Sequence, residues 1–300
     1  MDTEQLELAP FVSGLGFAEA PRWHDGALWL SDITERRVLR VDANARVETV
    51  TRTPGEPSGL GWLPDGSLLI VQMEEHELWR YADGVIRHHC STAAVSRIKL
   101  NDMIVDRNGR AWVSNFGFDH ETETPRTTAL VGIEPDGHVI TAAEELWCPN
   151  GMAIDAAGKL LFVGQIASAE IIEFDIDAEG SLRSRRVFAR LPGSSVCDGL
   201  CIDSEQASWI ASPTTRDCLR PRWPRAQDAL RRYRGNAQPA CGTRHLREPH
   251  RVRKGCRSRR GGPVISFGQT GYIAPYRFVA PRDVVRVLAI RHQREIGFVP

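Results

Sequence analysis

The sequence predicts an all-β chain built as a six-bladed β-propeller whose C-terminal blade or blades are degenerate or incomplete. Three observations predict it. A hairpin with a tight polar turn recurs along residues 20–213. A second, alternating strand pair follows each of the first four hairpins, and no long 3.6-residue apolar period runs through residues 1–212. With 42% hydrophobic and 25% charged residues the chain has an ordinary globular composition, which excludes collagen-like and fully disordered classes. No run of 18 apolar residues is present, so no membrane span is expected. The start MDTEQLELAP is acidic and lacks an apolar stretch, so no secretory leader is expected. Seven cysteines form no spaced framework, which points to reduced thiols and a cytoplasmic location.

The hairpins are APRWHDGALWLSDI (20–33), GLGWLPDGSLLIVQM (59–73), NDMIVDRNGRAWVSNF (101–116), NGMAIDAAGKLLFVGQ (150–165) and DGLCIDSEQASWIASP (198–213). Their turn glycines are Gly26, Gly66, Gly109 and Gly158, spaced by 40, 43 and 49 residues; the fifth copy has Gln206 there. A Gly-containing turn between apolar strands is a strong hairpin signal, because such turns need positive φ. The second pairs are 37–50, 77–90, 129–143 and 170–188. Each alternates apolar and polar residues around a polar turn, as half-buried strands do. Two hairpins make one four-stranded unit, and at roughly 40–50 residues per unit such a chain suits six blades. Trp29, Trp62, Trp112 and Trp209 fall in the repeated strands and are expected to fill space between blades.

In a propeller the first strand of each blade lines the central channel. Residues just before those strands therefore converge. They are Glu19, Asn101 with Asp102, Asn150 and Asp198, from separate repeats. Hard oxygen donors of this kind suit Ca²⁺, Mg²⁺ or Mn²⁺, and a ring of acids is costly without a cation. The same dipeptides are also plain turn formers. Elsewhere, His88-His89 is placed on an outer strand, Cys197 and Cys201 in apolar core, and Ser194-Ser195 lacks the nucleophile elbow of a serine hydrolase.

Four segments carry a family resemblance: GLGFAEAPRWHDGALWLSDI, KLNDMIVDRNGRAWVSNFGFD, CPNGMAID and CDGLCIDSEQASWIASPTTRDCLR. Over about residues 8–220 the chain resembles the senescence-marker-protein / gluconolactonase / luciferin-regenerating-enzyme family. The resemblance implies a six-bladed propeller with one catalytic divalent cation, calcium first, with Zn²⁺, Mn²⁺ or Mg²⁺ as alternatives. It implies a hydrolase acting on a small-molecule lactone or ester. Glu19, Asn150 and Asp198 then match the metal ligands, and Asp198 also the catalytic base. Asn101 matches a substrate-contacting asparagine, and Asp119 lies near a further substrate contact. Lys99 stands where sugar-lactone hydrolases of the family often carry arginine; lysine lacks the bidentate fork. A phosphotriesterase-like hydrolase on the same scaffold, or an inactive propeller remnant serving as a binding module, are the alternatives.

The net charge of zero hides an asymmetry. Residues 1–212 hold 18 Lys+Arg against 33 Asp+Glu, and residues 213–300 hold 20 against 5. The blade pattern stops near residue 220. The domain expectation is therefore blades one to five, the last partial, over 1–220, and an Arg-rich, poorly ordered tail over 221–300. A frameshift accounts best for aperiodic Arg-, Pro- and Gly-rich text. A basic nucleic-acid-binding tail comes second; membrane and nucleic-acid partners are not expected. A metal site on Cys241, His245, His250 and Cys256 comes last, because that spacing matches no common zinc pattern.

Overall fold

The computed structural model describes residues 12–119, 122–191, 197–202 and 208–211, and the backbone of three further strands between 264 and 287. The first blade is a meander of β1 (Ala18–His24), β2 (Ala27–Asp32), β3 (Arg37–Val41) and β4 (Val47–Arg52). The second contains β5 (Pro57–Trp62), β6 (Leu68–Gln72), β7 (Glu77–Ala82) and β8 (Val85–Ser91). The third contains β9 (Leu100–Val105), β10 (Ala111–Asn115), β11 (Thr128–Ile133) and β12 (Val139–Leu146). The fourth contains β13 (Pro149–Ile154), β14 (Leu160–Gln165), β15 (Glu170–Ile176) and β16 (Leu182–Arg190). Every pairing within these blades is antiparallel.

The blade count is a correction. Among the described residues there are four complete blades, not six. A two-stranded piece follows, β17 (Leu200–Ile202) with β18 (Ser208–Ile210), and a three-stranded sheet of β19 (Val264–Phe267), β20 (Tyr272–Val279) and β21 (Val284–Val287). The reason is local. The text between residues 221 and 262 offers no alternating apolar run from which a blade could be built. Gln206, Ser194, Ser195, and the Cys241, His245, His250 and Cys256 set lie outside the described residues, as does most of the tail.

Turn chemistry explains the hairpins. Gly26, Gly66, Gly109 and Gly158 have φ of 69°, 84°, 86° and 70°, the left-handed region open to glycine. The first strands of successive blades pack side by side, β1 with β5, β5 with β9, β9 with β13 and β13 with β17; β21 lies beside β1. That order winds the blades around one axis and puts β1, β5, β9, β13 and β17 on the inside.

The core is divided into slices between blades rather than gathered at one centre. Val38, Leu60, Leu68 and Ile70 fill the slice between blades one and two, with Trp29 and Trp62 edge-on at 5.4 Å. Leu69, Val71, Leu100, Met103 and Val131 fill the next. Trp112 is 1% exposed and joins blade three to Met152, Leu161 and Val163 of blade four. Burying such a side chain removes 150–250 Å² from water as a rough scale, and its loss would leave a cavity. Trp112→Ala is expected to lower unfolding free energy by about 3–5 kcal/mol, measured by urea denaturation. An unchanged midpoint and slope would show that this slice contributes little.

Candidate active site

Each of the four complete blades repeats one local device. The first residue of the inner strand pairs with the last residue of the second strand: Ala18 with Asp32, Pro57 with Gln72, Leu100 with Asn115, Pro149 with Gln165. All four partners on the second strand are polar and have no exposed surface. The Asp32 carboxylate accepts from the Gly16 and Phe17 amides, the latter at 3.0 Å, and pairs with Arg37 at 2.8 Å. Gln72 Oε1 accepts from the Gly55 amide at 2.9 Å, and Gln165 Oε1 from the Trp147 amide at 2.8 Å. Asn115 accepts from the Gly117 amide at 3.0 Å and donates to the Ala129 carbonyl at 2.8 Å. Buried polar groups need such partners, and here the partners fix the chain as it enters or leaves the inner hairpin.

The register then shifts in each of the four blades, between Glu19 and Arg22 (after one further pair, Glu19 with Ser31), Pro57 and Leu60, Leu100 and Met103, Pro149 and Met152. Such an irregularity re-aims side chains. The residue at its start is Glu19, Ser58, Asn101 and Asn150, and Asp198 holds the same place in the fifth repeat. The expected residues thus occupy one equivalent slot. Ser58 belongs to it too, and sequence reading missed it because the second hairpin seemed to begin at Gly59. The signal was there: Ser58-Gly59 aligns with Asn150-Gly151 and Asp198-Gly199.

Two of the slot residues, Asn150 and Glu19, act on Asp198. Asn150 donates a side-chain hydrogen bond to its carboxylate, and the Gly199 amide donates another. Asp198 lies deep among protein atoms but faces the channel, so it retains some exposure. Loss of water around it is the main cause that raises its carboxyl well above the usual carboxylate range; the charges of Glu19 and then Asp102 push the same way. Asp102 carries its own counter-charge, because Arg22 Nη2 donates to it at 2.6 Å and also reaches the Met103 carbonyl at 2.7 Å. Glu19 accepts from the Ala20 amide at 2.9 Å. Asn101 is 4% exposed and Ser58 1% exposed. The Asn101 Nδ2 and Ser58 Oγ atoms are buried and have no hydrogen-bond partner among the described residues.

This set fits a hard cation. The Glu19 charge acts on the Asp198 carboxyl from another repeat, and the Asn150 amide bonds to it. Among the described residues no group of three Asp, Glu, His or Cys side chains is arranged to hold an ion on its own. The expected set needs only Glu19 and Asp198 with the Asn150 amide. Cysteine chemistry is a poor fit, since burial pushes the Cys197 thiol up to about 12 and the Cys148 thiol to about 12.

The remaining expected residues lie further out. Lys99 and Asp119 line a cavity of about 750 Å³ at the end where the inner strands begin. Lys99 Nζ is 2.8 Å from Glu74 and 3.2 Å from Glu56. Burial alone would lower its pKa; the bonds to Glu74 and Glu56 outweigh this and hold it above that of an ordinary lysine. Asp119 is exposed after β10 and accepts from the Thr122 hydroxyl at 2.5 Å. His88 and His89 lie on outer strand β8, away from this constellation.

Residues 17–237 match the model of the SMP-30/Gluconolactonase/LRE-like region. The chain belongs to that family. It is similar to the pentonolactonase of Haloferax volcanii, 26% identical over 200 residues, which is 64% of this chain. That match spans 65% of the pentonolactonase, just under two thirds of its length. Among solved structures it is similar to a gluconolactonase of Xanthomonas campestris, at 25% identity and a TM-score of 0.58, over 68% of this chain and 72% of that one. A calcium-binding regucalcin of Agrobacterium tumefaciens shares the fold at 20% identity and a TM-score of 0.56, over 66% and 68% of the two chains. The family match runs past residue 220, where the motifs fade.

A carboxyl with a raised folded pKa destabilises the fold as pH rises from about 4, where the unfolded chain ionises, to the raised folded value. Without added cation, wild type is expected to lose thermal stability across that window relative to Asp198→Asn. Parallel Tm–pH profiles for the two would refute it. Ser58→Ala removes an unsatisfied hydroxyl and is expected to leave stability unchanged or raise it by about 1 kcal/mol, measured by denaturant titration. A loss of about 2 kcal/mol would show that the hydroxyl is satisfied in solution.

Proposed function

We propose that this protein is a metal-dependent lactone hydrolase with its reaction centre in the propeller channel. One observation carries the reading: the Asp198 carboxylate, held by Asn150, faces the charge of Glu19. Like charges brought together at a channel are an arrangement without benefit to the fold, and a divalent cation is the group that would repay it. The lactonase names of similar proteins support the substrate class. The position of β21 beside β1 supports a closed ring.

Glu19, Asn150 and Asp198 would hold the cation, calcium first given the all-oxygen donors. When bound, it would supply Lewis-acid polarisation of the ester carbonyl and lower the pKa of a nearby water. Asp198 is the base. Its carboxylate takes a proton from the water that attacks the carbonyl carbon. The Asn150 hydrogen bond fixes which way that carboxylate points. Asn101 Nδ2 is free to donate to the oxygen on which negative charge develops. As the carbon–oxygen ring bond breaks, Asp198 returns the proton to the leaving alkoxide. The product is a hydroxy acid.

The test is a lactone panel assayed by proton release, with calcium, manganese or zinc added and with chelator. Asp198→Asn is expected to lower kcat by about 10²–10⁴-fold while circular dichroism stays unchanged. Equal turnover by wild type and variant, or turnover indifferent to chelator, would overturn the assignment.

A further inference from the structure

The 750 Å³ cavity lies directly outside the polar ring. Phe17 stands two residues before Glu19, and Lys99 two before Asn101, so each is within about 7 Å of a ring residue along an extended chain. The cavity belongs to the same end of the channel as the slot residues, and its walls come from blades one to three.

Its lining divides by chemistry. Phe17, Ile33, Met73, Ile98, Phe116 and Phe118 supply an apolar wall. The charged lining is four carboxylates, Glu56, Glu74, Asp119 and Glu123, against two cations, Arg97 and Lys99. Of the two cations, Lys99 is committed within the protein and Arg97 is exposed at the rim. Lys99 is clamped between Glu56 and Glu74, and Arg97 Nε donates to the Ala93 carbonyl at 3.3 Å. A ligand seated here therefore meets apolar surface beside acidic surface, in which Glu123 is paired with Arg126 at 3.2 Å and Asp119 is exposed.

We propose that the cavity selects a neutral lactone bearing an apolar substituent, alkyl or aryl, over a polyhydroxylated or anionic one. The ester head would enter the polar ring, where Ser58 and Asn101 have hydrogen-bonding capacity to spare, and the substituent would stay against the aromatic wall. This deepens the lactonase reading and rests on it for the word substrate. The selection itself is a statement about binding. A sugar ring would have to desolvate part of its hydroxyls against the Phe and Ile side chains. An anionic group would be repelled by the surplus carboxylates. The hydroxy-acid product would be repelled likewise, which favours its departure.

Lactams test it, because they mimic the lactone without being hydrolysed. The full chain would be titrated calorimetrically with hexyl-substituted δ-valerolactam, plain δ-valerolactam and gluconolactam. The hexyl compound is expected to bind at least about tenfold more tightly than either of the others, since each methylene buried is worth about fourfold. Phe116→Ser, with Ile98→Ser as a second variant should the first misfold, is expected to cut that preference to below about threefold, less than one buried methylene's worth. Equal or weaker binding of the hexyl compound, no binding of any lactam, or a preference intact in both folded variants would overturn the proposal. Lactone hydrolysis without the alkyl preference would end this inference alone. Alkyl-lactam binding without any lactone hydrolysis would end the hydrolase reading and leave this one standing.

Discussion

The repulsion between carboxylates drawn from distant parts of the chain governs how this molecule is organised at its axis. Asp198 and Glu19 lie almost 180 residues apart, and nothing in local structure would bring them together. Interblade packing does so. The apolar slices between sheets fix the spacing of the inner strands, and the inner strands fix the spacing of the acids. Favourable burial in the slices thus offsets an unfavourable electrostatic arrangement at the channel. Arg22 relieves part of it by pairing with Asp102, whereas the Glu19 charge still acts on Asp198.

A second layer of order separates the chemistry from the scaffold. The residues in the channel slot differ from blade to blade: an acid, a hydroxyl, two amides and an acid. In the four complete blades the polar residue that ends the second strand anchors backbone, and its side chain is enclosed. One position is therefore free to vary in function because its neighbour is committed to structure. The shift of register between them lets the slot residue turn inward without breaking the ladder.

Much of this was legible in the sequence. The strand pairs fall where period-two alternation put them, and the four turn glycines are in the left-handed region that their spacing implied. Glu19, Asn101, Asn150 and Asp198 could be picked out because each precedes a recognisable apolar hairpin. Ser58 escaped, since serine before glycine looks like any turn and its burial is a tertiary fact. Arg22 escaped for the same reason: its partner lies 80 residues away, in another blade. The pairing of Lys99 with Glu56 and Glu74 was also out of reach, because it depends on which loops share one end of the channel. The number of blades went beyond what is described, since chain length measures capacity rather than pattern. The last 80 residues carry the length of blades without the alternation that builds them.

The anchoring of each hairpin by its own enclosed Asp32, Gln72, Asn115 or Gln165 has an evolutionary corollary. Every quadrant of the entrance is secured independently, so an insertion or deletion in one connecting segment need not disturb the others. Such an architecture lets selectivity drift piecemeal, one segment at a time, while the acids at the axis keep their mutual distances.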